Sequence, residues 1–196
     1  MFNSGKSVKD LITELTDEVE IAIEIPQKSY LGWLTSLEHL CYTEIIKEQR
    51  EITILNPTNP INIDELPISE DEAPIRFEDI HTVYADDVQL IKSTLASGMI
   101  FPDTFYKHND DLGFNSPYNT LELKIVYLAR PKIKTDDSGY VMFPVEFLDL
   151  VKAKLRGEAY KLANEDELSA KWLNDYNILL ETFKVWCNNR ASQFGM

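Results

Sequence analysis

The side chains best suited to chemistry lie in one short stretch of this 196-residue sequence, around the last of its three histidines. Asp103, His108, Asp110 and Asp111 fall within nine residues. Carboxylates beside an imidazole form a ligand set that divalent cations use. The same stretch, which includes Asn109, is also typical of a hairpin tip, since Asn and Asp side chains stabilise tight turns. We favour the turn, because two other Asp-Asp pairs in the chain repeat its composition.

The sequence contains none of the motifs that most enzymes need. Its seven glycines are scattered singly, so they build no phosphate-binding loop, and no serine lies in a nucleophile elbow. The histidines show no HExxH or similar metal-ligand spacing. His39 and Cys41 fall within one predicted helix, where a packed histidine and a small buried thiol are the simpler interpretation. We therefore expect a protein that is not an enzyme and that needs no cofactor.

The composition is strongly acidic. The chain has 33 Asp and Glu against 19 Lys and Arg, a formal net charge of −14. Gripping nucleic acid needs clustered basic side chains, so this charge argues against nucleic-acid binding, though not against a protein that lets DNA slide past. Cys41 and Cys187 predict no disulfide framework, and no apolar run approaches the roughly 20 residues that cross a bilayer. We expect a soluble protein, made in the cytoplasm, with no membrane partner.

Helical periodicity dominates residues 1–50. Ser7 is placed to cap a first helix, whose apolar positions recur at helical spacing. Those positions are Val8, Leu11, Ile12, Leu15 and Val19. A second helix is predicted from about Lys28 to Arg50, and Trp33, Leu40 and Ile46 widen its apolar stripe beyond one face. Such a helix is buried on more than one side, either in its own core or against a neighbouring subunit. These three residues are therefore candidates for a subunit interface.

Residues 51–135 have a β-rich pattern. Strands are predicted near 51–55, 76–84, 88–92, 98–105 and 121–130, with a turn at 86–87 and an acidic, proline-interrupted loop at 62–74. We expect a small antiparallel β region, inserted between two helical parts of the chain.

The last third is helical again. Pro144 suits the first turn of a helix that begins near Val145, and Asn164 is predicted to cap the helix after it. Two helices joined this closely are antiparallel neighbours. The predicted fold class is α+β. A helical core combines the two N-terminal helices (1–50) with this C-terminal hairpin (136–187), and 188–196 form a tail.

Aromatic side chains lie near the end of the chain. Trp186 and Phe194, with Arg190 between them, are candidate anchors for a partner protein, because large aromatic and Arg side chains often contribute most of the binding energy. Packing of Trp186 onto the first helix is an equally supported alternative.

Four segments, together with the order of the elements, carry a resemblance to a known family. They are 80–90 (IHTVYADDVQL), 125–131 (IVYLARP), 143–151 (FPVEFLDLV) and 161–172 (KLANEDELSAKW). In these segments the chain resembles the head–tail connector proteins of tailed bacteriophages, the adaptor or neck-ring family that docks beneath the portal. The likeness covers roughly residues 1–55 and 76–187.

The resemblance implies a structural virion protein at the neck, between head and tail. It implies a homo-oligomeric ring of twelve subunits, contact with the portal protein through the C-terminal region, and contact with tail or nozzle proteins through the insertion. DNA would pass through the ring without specific binding. Residues 51–130 carry 14 acidic and 5 basic side chains, so we expect part of this segment to face the channel, where like charge keeps the duplex from adhering.

Two other classes of function stay open at this point. One is a small acidic binding or regulatory protein of phage or bacterial origin, including a mimic of DNA. The other is a metal-dependent enzyme built on the 103–111 stretch. An enzyme should have a pocket with convergent polar groups, whereas a connector should expose an apolar flank.

Overall fold

Two units, each with its own hydrophobic core, make up the computed structural model. The helical unit comprises Met1–Ile46 and Ile133–Met196, and the β unit comprises Lys47–Lys132. The structure describes residues 1–21, 23–93, 101–116 and 119–194, excluding the side chains of 191–194. The β unit is therefore an insertion, which the chain enters and leaves once.

The first helix, α1 (Val8–Glu18), has the cap and the buried stripe that its sequence predicts. Ser7 Oγ accepts a hydrogen bond from the backbone N–H of Asp10 at 3.0 Å, which satisfies one of the free donors of the first turn. Val8, Leu11 and Leu15 are fully buried.

The second helix, α2 (Gln27–Leu40), is shorter than predicted. It passes into a π-helical turn (Cys41–Ile46), and Lys47 then adopts a φ of 50°, which ends helical geometry. The predicted helix end at Arg50 is wrong, because a β-strand, β1 (Gln49–Leu55), already begins at Gln49. Pairing within a sheet has overridden the local helical pattern of these last residues.

The C-terminal helices are α3 (Leu148–Leu162), preceded by a 3₁₀ turn (Val145–Phe147), and α4 (Asp166–Phe194). They approach closely at Gly157, where an added Cβ would lie 2.7 Å from the Leu173 side chain. Ser169 Oγ donates a hydrogen bond to the Gly157 carbonyl at 3.0 Å. Glycine is needed here because the backbone of one helix packs directly against the other.

The structure differs from two expectations about this hairpin. Asn164, predicted to cap α4, lies between the helices with a φ of 60°, a left-handed conformation that Asn tolerates. In addition, α4 continues to Phe194, past Asn188, where the aperiodic tail was expected to start.

One six-stranded, curled sheet forms the β unit. Its strands are β1 (Gln49–Leu55), β2 (Ile80–Ala85), β3 (Val88–Lys92), β4 (Thr104–His108), β5 (Asp111–Asn115) and β6 (Glu122–Leu128). Their order across the sheet is β1-β6-β2-β3-β4-β5. Neighbours pair antiparallel, except that β3 and β4 are parallel, so the sheet is mixed.

The expectation of a small antiparallel β region beside a helical core is therefore wrong, although the fold is α+β. Six strands form one mixed sheet, and this sheet has its own core, which includes Phe105, Leu112 and Leu123. Strand periodicity shows which residues face a core but not which strand each one pairs with, so the parallel pair left no signal in the sequence.

Two of the predicted turns join strands. Asp86 and Asp87, with φ of 45° and 66°, connect β2 to β3, which confirms the predicted turn there. Asn109, with φ of 56°, lies in the two-residue turn between β4 and β5. Strand β5 was not predicted, because its short run contains Gly113. The Tyr106 ring lies over this glycine, 2.5 Å from where a Cβ would be.

Candidate interaction surfaces

An aromatic cluster surrounds Trp186 on α4. Its ring centroid lies 5.4 Å from that of Phe147 and 5.6 Å from that of Phe2, and Phe183 stacks on it at 6.1 Å. The guanidinium of Arg190 lies 4.9 Å from the Phe2 ring centroid and 5.3 Å from that of Trp186. These contacts join the N-terminal segment to the start of α3 and to α4, so Trp186 contributes to packing whatever else it binds.

The structure thus brings two of the three predicted partner anchors together. Trp186 is half-buried and Arg190 is exposed, and they lie one helical turn apart over Phe2. Phe194 is the last residue of α4, and its side chain lies outside the described part. The alternative of packing onto the first helix is replaced by packing onto Phe2, which precedes that helix.

The three candidate subunit-interface residues on the second helical segment differ in exposure. Trp33 is half-buried, packs against the helical core and meets Tyr30 edge-on at a centroid distance of 5.5 Å. Ile46, in the π-helical turn, also packs against that core. Leu40 is 47% exposed, so it is the one most open to a neighbour.

A second apolar face on α4 was missed by the sequence analysis. Ile178 and Val185 are 60% and 59% exposed, and their spacing of seven residues places them on one side of the helix, two turns apart. Thr182, also exposed, lies between them. The helical spacing of Ile178 and Val185 is present in the sequence. The longer apolar stripe through Trp172 and Phe183 was predicted as the buried side of the helix, and the exposed pair was not recognised.

A groove of about 330 Å³ runs between α3 and α4, with Ile178 at its border and Trp172 in its wall. The Arg156 guanidinium lies 4.6 Å from the Trp172 ring centroid and forms an ion pair with Glu18 of α1. Lys152, the other basic residue of the groove, is paired with Glu14 of α1, whereas Asp149 is an exposed acid of its lining.

Ion pairs also hold α1 in place. Glu14 accepts hydrogen bonds from Lys152 and, at 2.8 Å, from Lys6, and these bonds lower the pKa of the Glu14 carboxyl to about 2. A carboxylate between two ammonium groups strongly favours its charged form. The group is suited to structure rather than to proton transfer near neutral pH.

Glu38, on α2, is an acid of the helical unit whose pKa is raised. It is fully buried, accepts a hydrogen bond from the Met142 backbone N–H at 2.8 Å, and its other oxygen lies 3.2 Å from Nζ of Lys134. The angle at that second contact does not suit a hydrogen bond, so it is an ion pair only. Burial raises the pKa of Glu38 to about 7, against the opposing effect of the Lys134 charge. The hydrogen bond to Met142 and the ion pair with Lys134 hold 134–142 against α2.

In the β unit, buried charges hold the long connection between β1 and β2. Glu72 accepts hydrogen bonds from Arg50 of β1 and, at 2.8 Å, from the Tyr127 hydroxyl of β6. Arg130, also buried, donates to Asp79 at 2.7 Å. Both pairs are satisfied by charge-assisted hydrogen bonds, as buried charges require. They explain how an acidic, proline-interrupted loop is fixed to the sheet.

The candidate metal ligands do not form a site. His108 and Asp111 are paired residues at the ends of β4 and β5, and Asp110 in the turn contacts Lys107 at 3.8 Å. Asp103 precedes β4 with a φ of 55°. Within 1–21, 23–93, 101–116 and 119–194, no group of three or more His, Cys, Asp or Glu side chains is arranged to hold a metal ion.

A polar pocket of about 400 Å³ lies beside the start of β6, lined mainly by amides and hydroxyls that include Asn56, Asn115 and Thr120. The Thr120 hydroxyl is buried and has no hydrogen-bond partner among the described residues. No acidic or basic side chain is among the described residues that line this pocket.

No described helix is both long enough and apolar enough to cross a membrane. No family model matches the sequence, and no curated protein matches it. The function is therefore inferred from the residues and their geometry.

Proposed function

We propose that this chain is a subunit of a head–tail connector ring of a tailed bacteriophage, which joins the portal to the tail around the DNA channel. The observation that carries the proposal is the exposed apolar pair on α4, Ile178 and Val185. A subunit that works alone gains nothing from two large aliphatic side chains on one solvent-facing side, whereas a ring subunit buries such a face against its neighbour.

Further features support the same function. Leu40, at the end of α2, is one of several other exposed aliphatic residues in the helical unit. Trp186 and Arg190 are of the residue types that anchor protein partners, and they fit the portal contact that the sequence resemblance implies. The acidic charge of the chain fits a channel wall, since phosphates would meet like charge instead of releasing counterions onto Lys and Arg.

The proposal is tested by molar mass, measured by light scattering with and without a candidate portal protein. We expect the chain to enter a multi-subunit complex when the portal is present. Ile178→Asp and Val185→Asp should each reduce assembly at least about tenfold, because a buried aspartate at an apolar contact is costly to desolvate.

Asn177→Asp is the matched control for these variants. It places the same charge on an adjacent, exposed position of α4, outside the apolar pair. It should assemble as the unaltered chain does, and all three variants should keep the helical circular dichroism of the parent. A chain that stays monomeric at all concentrations and never joins the portal would refute the proposal.

A further inference from the structure

One edge of the sheet is open. β1 is at one end of the strand order, and among the described strands it pairs with β6 alone. Two hydrogen bonds fix which of its backbone groups face β6: Ala129 N–H donates to the Glu48 carbonyl, and Asn56 N–H donates to the Leu121 carbonyl. Because the hydrogen-bonding direction alternates along a strand, the even-numbered residues of β1 face β6 and the odd-numbered ones face away.

Four residues therefore present backbone N–H and C=O groups at the outer edge. They are Gln49, Glu51, Thr53 and Leu55. All four residues are exposed, and none of their outward backbone groups is hydrogen-bonded within the described part of the chain. A seven-residue strand with a free edge is a template for another strand.

The opposite edge, β5, is closed by the chain itself. Its outward residues are Leu112 and Phe114. Ile61 exchanges two backbone hydrogen bonds with Leu112, each 2.9 Å long. The Asn59 side chain accepts from the Phe114 N–H at 3.2 Å and donates to the Phe114 carbonyl at 2.6 Å. One edge is thus fully satisfied and the other is left unprotected, so two copies cannot join β1 to β5 without breaking existing bonds.

The chemistry around β1 indicates what would pair with it. Its inward side chains, among them Ile52 and Ile54, belong to the β-unit core or pack against it, whereas Glu51 and Thr53 point to the exposed face. The β unit carries 15 acidic and 8 basic side chains, so two copies repel each other and a basic segment is attracted. The complementary strand alternates apolar residues on one face with basic residues on the other.

We propose that the β1 edge receives an extended, basic segment of a partner protein, which adds to the sheet as a seventh strand. Main-chain hydrogen bonds to the four outward residues supply the binding, and the alternation of side chains supplies the selectivity. This inference does not depend on the connector proposal, since it concerns the β unit alone.

The test uses the full chain and a synthetic peptide, Lys-Val-Lys-Val-Lys-Val-Lys, as the probe. Binding is measured by calorimetry, and amide hydrogen exchange is followed by NMR. We expect saturable binding with at least about tenfold slower exchange at the amides of Gln49, Glu51, Thr53 and Leu55. The matched acidic peptide, Glu-Val-Glu-Val-Glu-Val-Glu, should bind at least about tenfold more weakly.

A pair of variants at one position separates strand addition from other modes of binding. Thr53→Pro removes an outward N–H without removing a bond to β6, and proline is tolerated at such edge positions. It should weaken the basic peptide at least about tenfold, whereas Thr53→Val, which keeps the N–H, should bind as the parent does.

Three results would overturn the inference. If the basic peptide does not slow hydrogen exchange at the outward amides of the parent chain, strand addition is excluded. This result does not depend on whether the proline variant folds. Equal affinity of Thr53→Pro and Thr53→Val for the basic peptide would also exclude strand addition. Outward amides that are already protected in the free chain, together with a doubled molar mass, would assign the edge to a second copy instead.

Discussion

At the scale of single residues, the buried carboxyl of Glu38 makes the free energy of unfolding depend on pH. Its pKa is about 7 in the folded chain and close to the ordinary 4.5 when unfolded. Because the pKa is higher in the folded state, the folded state binds the proton more tightly than the unfolded state does. The contribution of Glu38 to stability is therefore complete below pH 4.5 and is lost as the pH rises through 7. At 1.36 kcal/mol per pKa unit, the change is about 3 kcal/mol.

We expect Glu38→Gln to remove that dependence. A glutamine keeps an acceptor for the Met142 N–H but cannot ionise. Because glutamine resembles the protonated carboxyl, the stability of the variant relative to the parent should rise by about 2 kcal/mol between pH 5 and pH 8, where the parent buries a carboxylate. Urea unfolding at the two pH values, followed by tryptophan fluorescence, measures the difference.

The control for this prediction is Glu44→Gln, at an exposed position of the π-helical turn. Its effect on the free energy of unfolding should be small and equal at both pH values. A difference in the free energy of unfolding between Glu38→Gln and the parent that is the same at pH 5 and pH 8 would show that Glu38 does not titrate between them.

At the scale of elements, the packing of α3 against α4 depends on one glycine. Replacing glycine by alanine inside a helix normally stabilises it by about 1 kcal/mol. At Gly157 the new Cβ would lie 2.7 Å from the Leu173 side chain and 3.3 Å from its backbone nitrogen, so the helices must separate. We expect Gly157→Ala to lower the free energy of unfolding by about 2 kcal/mol, measured in urea.

Gly32→Ala is the matched control for this prediction. Gly32 lies in α2 with nothing within 4 Å of the position of an added Cβ. The same substitution should therefore stabilise the chain by about 1 kcal/mol. Effects of the same sign at both positions would contradict the close approach of α3 and α4.

The elements that the sequence predicted best are those whose signals are local. The Ser7 cap, the stripe of α1 and the turn at Asp86 each depend on neighbours within a few residues, and the structure places all three as predicted. The end of α2 and the parallel pairing of β3 with β4 depend on distant partners. A local sequence pattern therefore cannot predict the end of this helix or the partner of these strands.

The candidate surfaces also divide into features that the sequence shows locally and features that depend on distant residues. Trp186 was identified by its residue type, but its packing on Phe2 joins residues 184 positions apart and had no sequence signal. The free edge of β1 is a property of the strand order, so it became visible only when the closure of β5 by Asn59 and Ile61 was known. The exposed pair on α4 was present in the spacing and was overlooked.

At the scale of the whole molecule, the net charge predicts that the chain does not bind DNA. With a net charge of −14, we expect no saturable binding to a 30-base-pair duplex in about 50 mM salt, measured by fluorescence anisotropy up to about 10 μM protein. A protein that grips phosphates binds non-specifically in this range, and its affinity falls steeply as salt is added.

A charge-reversed variant shows whether the acidic loop is responsible for that repulsion. Asp64, Glu70 and Asp71 are exposed, so changing all three to lysine should leave the fold intact while raising the net charge by six units, from −14 to −8. We expect the variant to gain weak, salt-sensitive binding, because clustered ammonium groups then release counterions from the duplex. Salt-sensitive binding by the parent chain would instead mean that a basic surface outweighs the acidic total, and it would remove the physical reason for placing this protein around a DNA channel.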